Sequence, residues 1–149
     1  MDFNKFDSVS AAEKGAAMQI KDPATLKPLF TEDGKPCEVI LLGAESPTVR
    51  AAIRELQKAR AGAPEGNEDP EKENIPYDVV HERLVEGLLP RVAGFNNVFK
   101  GDKPATKRDA AWFFNLNRYN GQEGEKSFAE QAVEFSNKRS SYLGNASVG

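Results

Sequence analysis

The spacing of apolar and polar positions changes several times along this chain, and each change marks an element. From Ala16 to Asp22, apolar Met18 and Ile20 alternate with polar Gln19 and Lys21, the period-two signature of a strand with one buried face. Pro23 to Pro28 interrupts it, Leu29-Phe30 adds a short second piece, and Asp33-Gly34 offers the positive φ that a tight turn needs. Cys37 to Gly43 is a nearly continuous aliphatic run closed by glycine, which predicts a strand buried on both faces or packed beneath a helix. Ser46 as N-cap and Pro47 at the first helical position then open a helix predicted from about Pro47 to Arg60. Val49, Ile53 and Leu56 recur along it at helical spacing, and Gly62 stands as its stop.

Beyond Gly62 the periodicity vanishes into GAPEGNEDPEKEN, an acidic Pro/Gly stretch that reads as a linker or surface loop. An apolar stripe of Val80, Leu84, Leu88 and their neighbours predicts a second helix over 77–92, kinked or shortened at Pro90. Gly94, Phe95 and Asn96 to Val98 read as a short aromatic loop before the Gly101–Pro104 turn. A third helix is predicted over 105–117, with Thr106 as its cap. A fourth is predicted over 127–143, opened by the capping box Ser127 to Glu130 and closed by Gly144-Asn145. The first residues, 1–14, read as a loosely docked arm with one helical turn capped by Ser10. The fold class expected is α+β: a small N-terminal β-hairpin unit plus first helix over 1–61, the acidic connection over 62–76, and a mainly α-helical region over 77–149.

At 149 residues the chain has the size of one ordinary domain. Its 20 basic and 23 acidic residues give a net charge of −3, mixed along the chain, so no electrostatic footprint for nucleic acid emerges. No run approaches the roughly 20 apolar residues that span a bilayer, and the N-terminus has no signal-peptide pattern, so a soluble protein of a reducing cytoplasm is expected. The single cysteine, Cys37, has no partner for an internal disulfide.

Candidate chemistry is sparse. His81 is the only histidine and has no nucleophile placed beside it by motif, so it reads as a surface helix residue. The acids of the 62–74 stretch lack the alternating ligand pattern of a calcium loop, and the glycines never assume phosphate-cradling spacings. No catalytic residue, cofactor or metal is expected. What stands out is a surplus of aromatic rings around Trp112, Phe113 and Phe114, which makes an interaction surface the functional reading.

The order and spacing of the punctuation resemble one family. The chain is similar to the tail assembly chaperones of long-tailed bacteriophages through Pro23-Ala-Thr25-Leu-Lys-Pro28-Leu29, Gly34-Lys35-Pro36, and Val39-Ile-Leu-Leu42-Gly43-Ala-Glu-Ser46-Pro47. The loop Gly94-Phe95-Asn-Asn-Val98 and the closing Arg139-Ser-Ser-Tyr142-Leu143 complete the series, which covers most of residues 18–144. It departs from the family pattern in Phe95 where Trp is expected, in Tyr142 where Phe is expected, and in the acidic insert at 64–73. The resemblance implies a non-enzymatic assembly factor of the bacterial host cytoplasm, absent from the finished particle. Its implied partners are the tape-measure protein and the tail-tube protein, with a homo-oligomer also compatible. The rival class is a structural minor tail or connector protein of the virion. For a helical client, the contacting rings are expected among Trp112, Phe113, Phe128, Phe135 and Tyr142.

Overall fold

Three antiparallel strands, β1 (Ala16–Gln19), β2 (Glu38–Leu41) and β3 (Val92–Asn96), form a sheet in that order at the centre of an α+β fold. The computed structural model describes residues 1–61 and 75–143, so the expected Gly62 stop, most of the acidic connection and the Gly144-Asn145 end lie outside the described residues. Met18 pairs with Val39 and Val39 with Phe95, while Leu41 faces both Ala16 and Val92, so one face of the sheet is apolar throughout. The link between β1 and β2 folds back on itself: Lys21 bridges Pro28, Phe30 bridges Pro36, and the Asp33-Gly34 turn closes the tip with Gly34 at φ +84°.

The third strand corrects the expected aromatic loop. Helix α3 (Tyr77–Leu88) stops short of Val92, a 3-10 turn over Leu89–Arg91 carries Pro90, and the chain then enters β3 rather than a loop. A bulge opposite Ile40 and Leu41 lets both Val92 and Phe95 face the core although they are an odd number of residues apart. That spacing is why no period of two is visible there. Because β3 belongs to the 77–149 region and pairs with β2, the N- and C-terminal regions share one sheet and one core.

From Ser8 onward the N-terminal arm is fixed rather than loosely docked. Helix α1 (Ser8–Lys14) is capped by Asp7, not Ser10: an Asp7 carboxylate oxygen accepts the Ser10 N–H at 3.0 Å, which with the Ser10 hydroxyl holds that carboxyl below its usual range. Ala12 is 2% exposed and its carbonyl accepts the Gly43 N–H at 3.0 Å. Glu13 accepts hydrogen bonds from the hydroxyls of Ser46 and Thr48 and from the Thr48 N–H, and these lower its carboxyl pKa. At the junction sits Gly43, where an added Cβ would lie 2.7 Å from the Cβ of Ala12 and 2.9 Å from the ring of Tyr142. The Tyr142 ring cannot swing aside freely, since its hydroxyl donates to the Leu41 carbonyl at 3.1 Å. Gly43→Ala is therefore expected to cost about 1–3 kcal/mol by overpacking, read as a lowered urea midpoint; an unchanged midpoint would show that α1 yields at no cost.

Helix α2 (Pro47–Ala61) begins where expected, with Ser46 Oγ accepting the Val49 N–H at 3.2 Å. A two-stranded ribbon, β4 (Phe99–Lys100) and β5 (Lys103–Pro104), turns at Gly101. The expected third helix is reduced to a 3-10 turn over Lys107–Asp109, with Thr106 at its N-cap, running into α4 (Ala110–Phe114). Helix α5 (Phe128–Asn137) carries the expected capping box: the Ser127 N–H donates to Glu130 at 2.9 Å and the Glu130 N–H to Ser127 Oγ at 3.2 Å. It ends before the expected 143 because the Ser136 carbonyl, which would carry the helix onward, instead accepts the Ala44 N–H at 2.9 Å, and Lys138 turns to extended geometry. A separate turn then brings Tyr142 and Leu143 back toward the sheet.

The core lies between the apolar sheet face and α3, α4 and α5. Met18, Ile20, Val39, Leu41 and Val92 meet Val85, Leu88, Phe113 and Phe114 there, with Ala129 and Ala132 letting α5 approach closely.

Candidate partner-binding groove

A groove of about 340 Å³ opens between β1 and α5. Its α5 wall is built by Gln131, Glu134 and Phe135, which the helical repeat stacks on one side, with Lys138 just past the helix end. Its other wall is Met18, Gln19 and Lys21 of β1 and the residues just after it, with Leu26 at the mouth.

Gln131 sets the width. Its buried carboxamide accepts the Lys21 N–H at 2.9 Å and donates to the Lys21 carbonyl at 2.9 Å, as a neighbouring strand would, and it also donates to the Lys126 carbonyl at 3.0 Å. The sheet edge is thus closed at Lys21 by a side chain. The mouth is shaped by Asp22, whose carboxylate accepts the N–H groups of Ala24 and Thr25 at 2.8 and 3.2 Å. That turn forces Leu26 to φ +60°, a left-handed conformation that a leucine enters at a cost of about 1–3 kcal/mol. A strained leucine lining an open groove is the kind of outlier that marks a working surface.

The electrostatics are lopsided. Lys21, Lys126 and Lys138 surround the groove, and Glu134 pairs with Lys126 at 2.6 Å, which leaves Lys21 and Lys138 without a carboxylate partner among the described residues. An apolar floor with a basic rim suits an extended or helical segment carrying apolar and acidic side chains.

The five aromatic residues singled out in the sequence separate here. Phe135 lines the groove and meets Tyr142 edge-on at 5.8 Å. Tyr142 is half-buried, and burial pushes its phenol above the usual range. Phe113 is core, 2% exposed, stacked on Phe128 at 4.6 Å and edge-on to Phe95 at 5.1 Å. Trp112 is partly buried, with the Lys100 ammonium 5.6 Å from its ring centre. The rings left most open are elsewhere: Phe3 at 72% exposure, Phe30 and Tyr77 at 56%, Phe99 at 54%. Sequence reading passed over them because they sit in the arm, beside turns or at a helix start, outside any periodic stripe.

His81 also corrects an expectation. It is fully buried, with Nε2 2.8 Å from Asn115 Oδ1 and Nδ1 3.4 Å from the Tyr119 N–H. Its helical companions Val85 and Leu88 are the buried face of α3, a spacing that was visible in the sequence. It ties α3 to the chain after α4. Cys37 is partly buried, and burial raises its thiol pKa, away from the reactive thiolate.

Among the described residues no group of three or more His, Cys, Asp or Glu converges as a metal site, and no helix is long and apolar enough to cross a membrane. Comparison with protein-family models, with curated proteins and with solved structures gives no match.

Proposed function

We propose that this protein is a non-enzymatic tail assembly chaperone of a long-tailed bacteriophage, acting in the host cytoplasm to hold the tape-measure protein and bring it to tail-tube subunits. The observation that carries the reading is the groove between β1 and α5, in which Phe135 and Met18 form an apolar floor beneath Lys21 and Lys138, which have no carboxylate partner among the described residues. The order of turn and cap motifs from Pro23 to Leu143 supports the same assignment through family resemblance. A holding chaperone needs apolar contact that can be released without a chemical step, and a half-open groove of side chains supplies it. Net charge of −3 favours keeping a loaded complex in solution.

Co-expression with the tape-measure protein of the same phage tests this. The wild type should keep the client in the soluble fraction. Lys21→Glu combined with Lys138→Glu should weaken binding about tenfold, roughly 1.4 kcal/mol, and so lower that fraction while circular dichroism stays unchanged. Phe135→Ser should act in the same direction. A client that pellets even with wild type overturns the function. Folded groove variants that protect the client fully, while Phe3→Ser with Phe6→Ser does not, move the binding face to the arm. Stoichiometric copies in purified particles would instead make the protein a structural component of the virion.

A further inference from the structure

We propose that a second cleft, between α2 and the Leu89–Arg91 turn, is a docking site for a carboxylate-bearing segment of a partner protein. It measures about 290 Å³ and is lined by Arg50, Arg54 and Arg91 above an apolar floor of Val49 and Ile53. Arg50 and Arg54 stand one helical turn apart on α2, so both reach the same opening.

Three arginines line this one cleft. Arg60 pairs with Glu86, Arg118 with Asp78, and Arg139 with Glu45, yet none of the three cleft arginines has a carboxylate within ion-pair distance among the described residues. The acid whose field reaches Arg50 is Glu45, which Arg139 already holds through two hydrogen bonds at 2.8 and 3.2 Å. Arg91 is the telling member. Its side chain is largely buried, and one terminal nitrogen donates to Ser136 Oγ at 2.7 Å and Asn137 Oδ1 at 2.9 Å, both neutral. Its Nε is buried with no hydrogen-bond partner. Desolvation lowers the pKa of this guanidinium, and no neighbouring carboxylate offsets it. A partly buried cation whose Nε is enclosed and whose partners are neutral carries a desolvation cost, and a carboxylate entering the cleft supplies the missing counter-charge.

The occupant is a protein segment rather than nucleic acid. Nucleic acid binding draws on a long basic track, whereas this is a compact cleft on a chain of net charge −3, with two aliphatic side chains at its floor. Glutamates one helical turn apart beside a leucine match the spacing of Arg50 and Arg54 and the apolar floor together. This site is separate from the groove between β1 and α5 and does not depend on its function.

Fluorescence anisotropy with a labelled amphipathic peptide carrying glutamates at i and i+4 beside leucines tests it, at low ionic strength and against the full chain. Saturable binding is expected, weakening about tenfold or more in Arg50→Gln with Arg54→Gln, as loss of two charge-assisted contacts requires. Both side chains are exposed, so circular dichroism should not change. The proposal fails if the wild type does not bind, if the double variant binds equally, or if a lysine version of the peptide binds as well. Displacement by inorganic phosphate at the same concentration as the peptide would make it a phosphate site instead. Binding that emerges only after the acids of 64–73 are changed to glutamine would assign the cleft to this chain's own acids.

Discussion

Phe113→Ala should lower stability by about 3–5 kcal/mol, the cost of truncating a fully enclosed phenylalanine and leaving its cavity. The ring is 2% exposed, lies flat against Phe128 at 4.6 Å, and receives Phe95 and Phe114 edge-on at 5.1 and 5.2 Å. Such aromatic pairs add about 0.5–1.5 kcal/mol beyond burial, which places this position toward the upper end of the range. Urea unfolding followed by the fluorescence of adjacent Trp112 measures it. Phe113→Leu should recover more than half of the loss, because volume and apolar contact are mostly kept. A loss below about 1 kcal/mol for the alanine variant would show that the ring is not central to the core. The result also governs how client assays are read: pelleting of a client by a Phe113 variant reports unfolding, whereas pelleting by a Phe135 variant of normal stability reports contact.

Gln131→Leu comes next, at about 2–4 kcal/mol. The carboxamide satisfies the N–H and carbonyl of Lys21 and the carbonyl of Lys126, and leucine leaves all three backbone groups without it. Each net hydrogen bond is worth about 0.5–1.5 kcal/mol, with more lost where the orphaned group stays buried. Gln131→Glu separates hydrogen bonding from packing. A carboxylate can still accept from Lys21 N–H but faces two carbonyls as an acceptor, so its folded pKa is raised above its unfolded value. The ionised form is therefore penalised in the folded state. The deficit of this variant relative to wild type should be full at neutral pH and shrink as pH falls through that raised pKa toward about 4, where the protonated acid again donates. Equal deficits at neutral and acidic pH would mean that Gln131 acts through shape alone. In either variant the groove should widen, since the clamp joining α5 to the end of β1 is gone.

Local chemistry carried much of the architecture. Alternation at Met18 and Ile20, the aliphatic run around Val39, the Asp33-Gly34 turn, and the caps at Ser46 and Ser127 each depend on a few neighbouring residues, and each marks an element that is present. The α+β class follows from them.

What tertiary structure alone decided is whatever depends on a partner distant in the chain. Strand β3 exists because β2 offers it a ladder, and its bulge hides the alternation that would have announced it. Helix α5 ends at Asn137 because Ala44 takes the carbonyl of Ser136. Its fourth-helix pattern to Leu143 continues in the sequence, but hydrogen-bond competition from the end of β2 breaks it. The same holds for the surface. The surplus of rings singles out Trp112, Phe113, Phe128, Phe135 and Tyr142 together, but only the tertiary packing leaves Phe135 lining a groove while Phe113 is enclosed in the core. Periodicity states which residues share a face of one element; which face is covered is a property of the other elements, and no local pattern contains it.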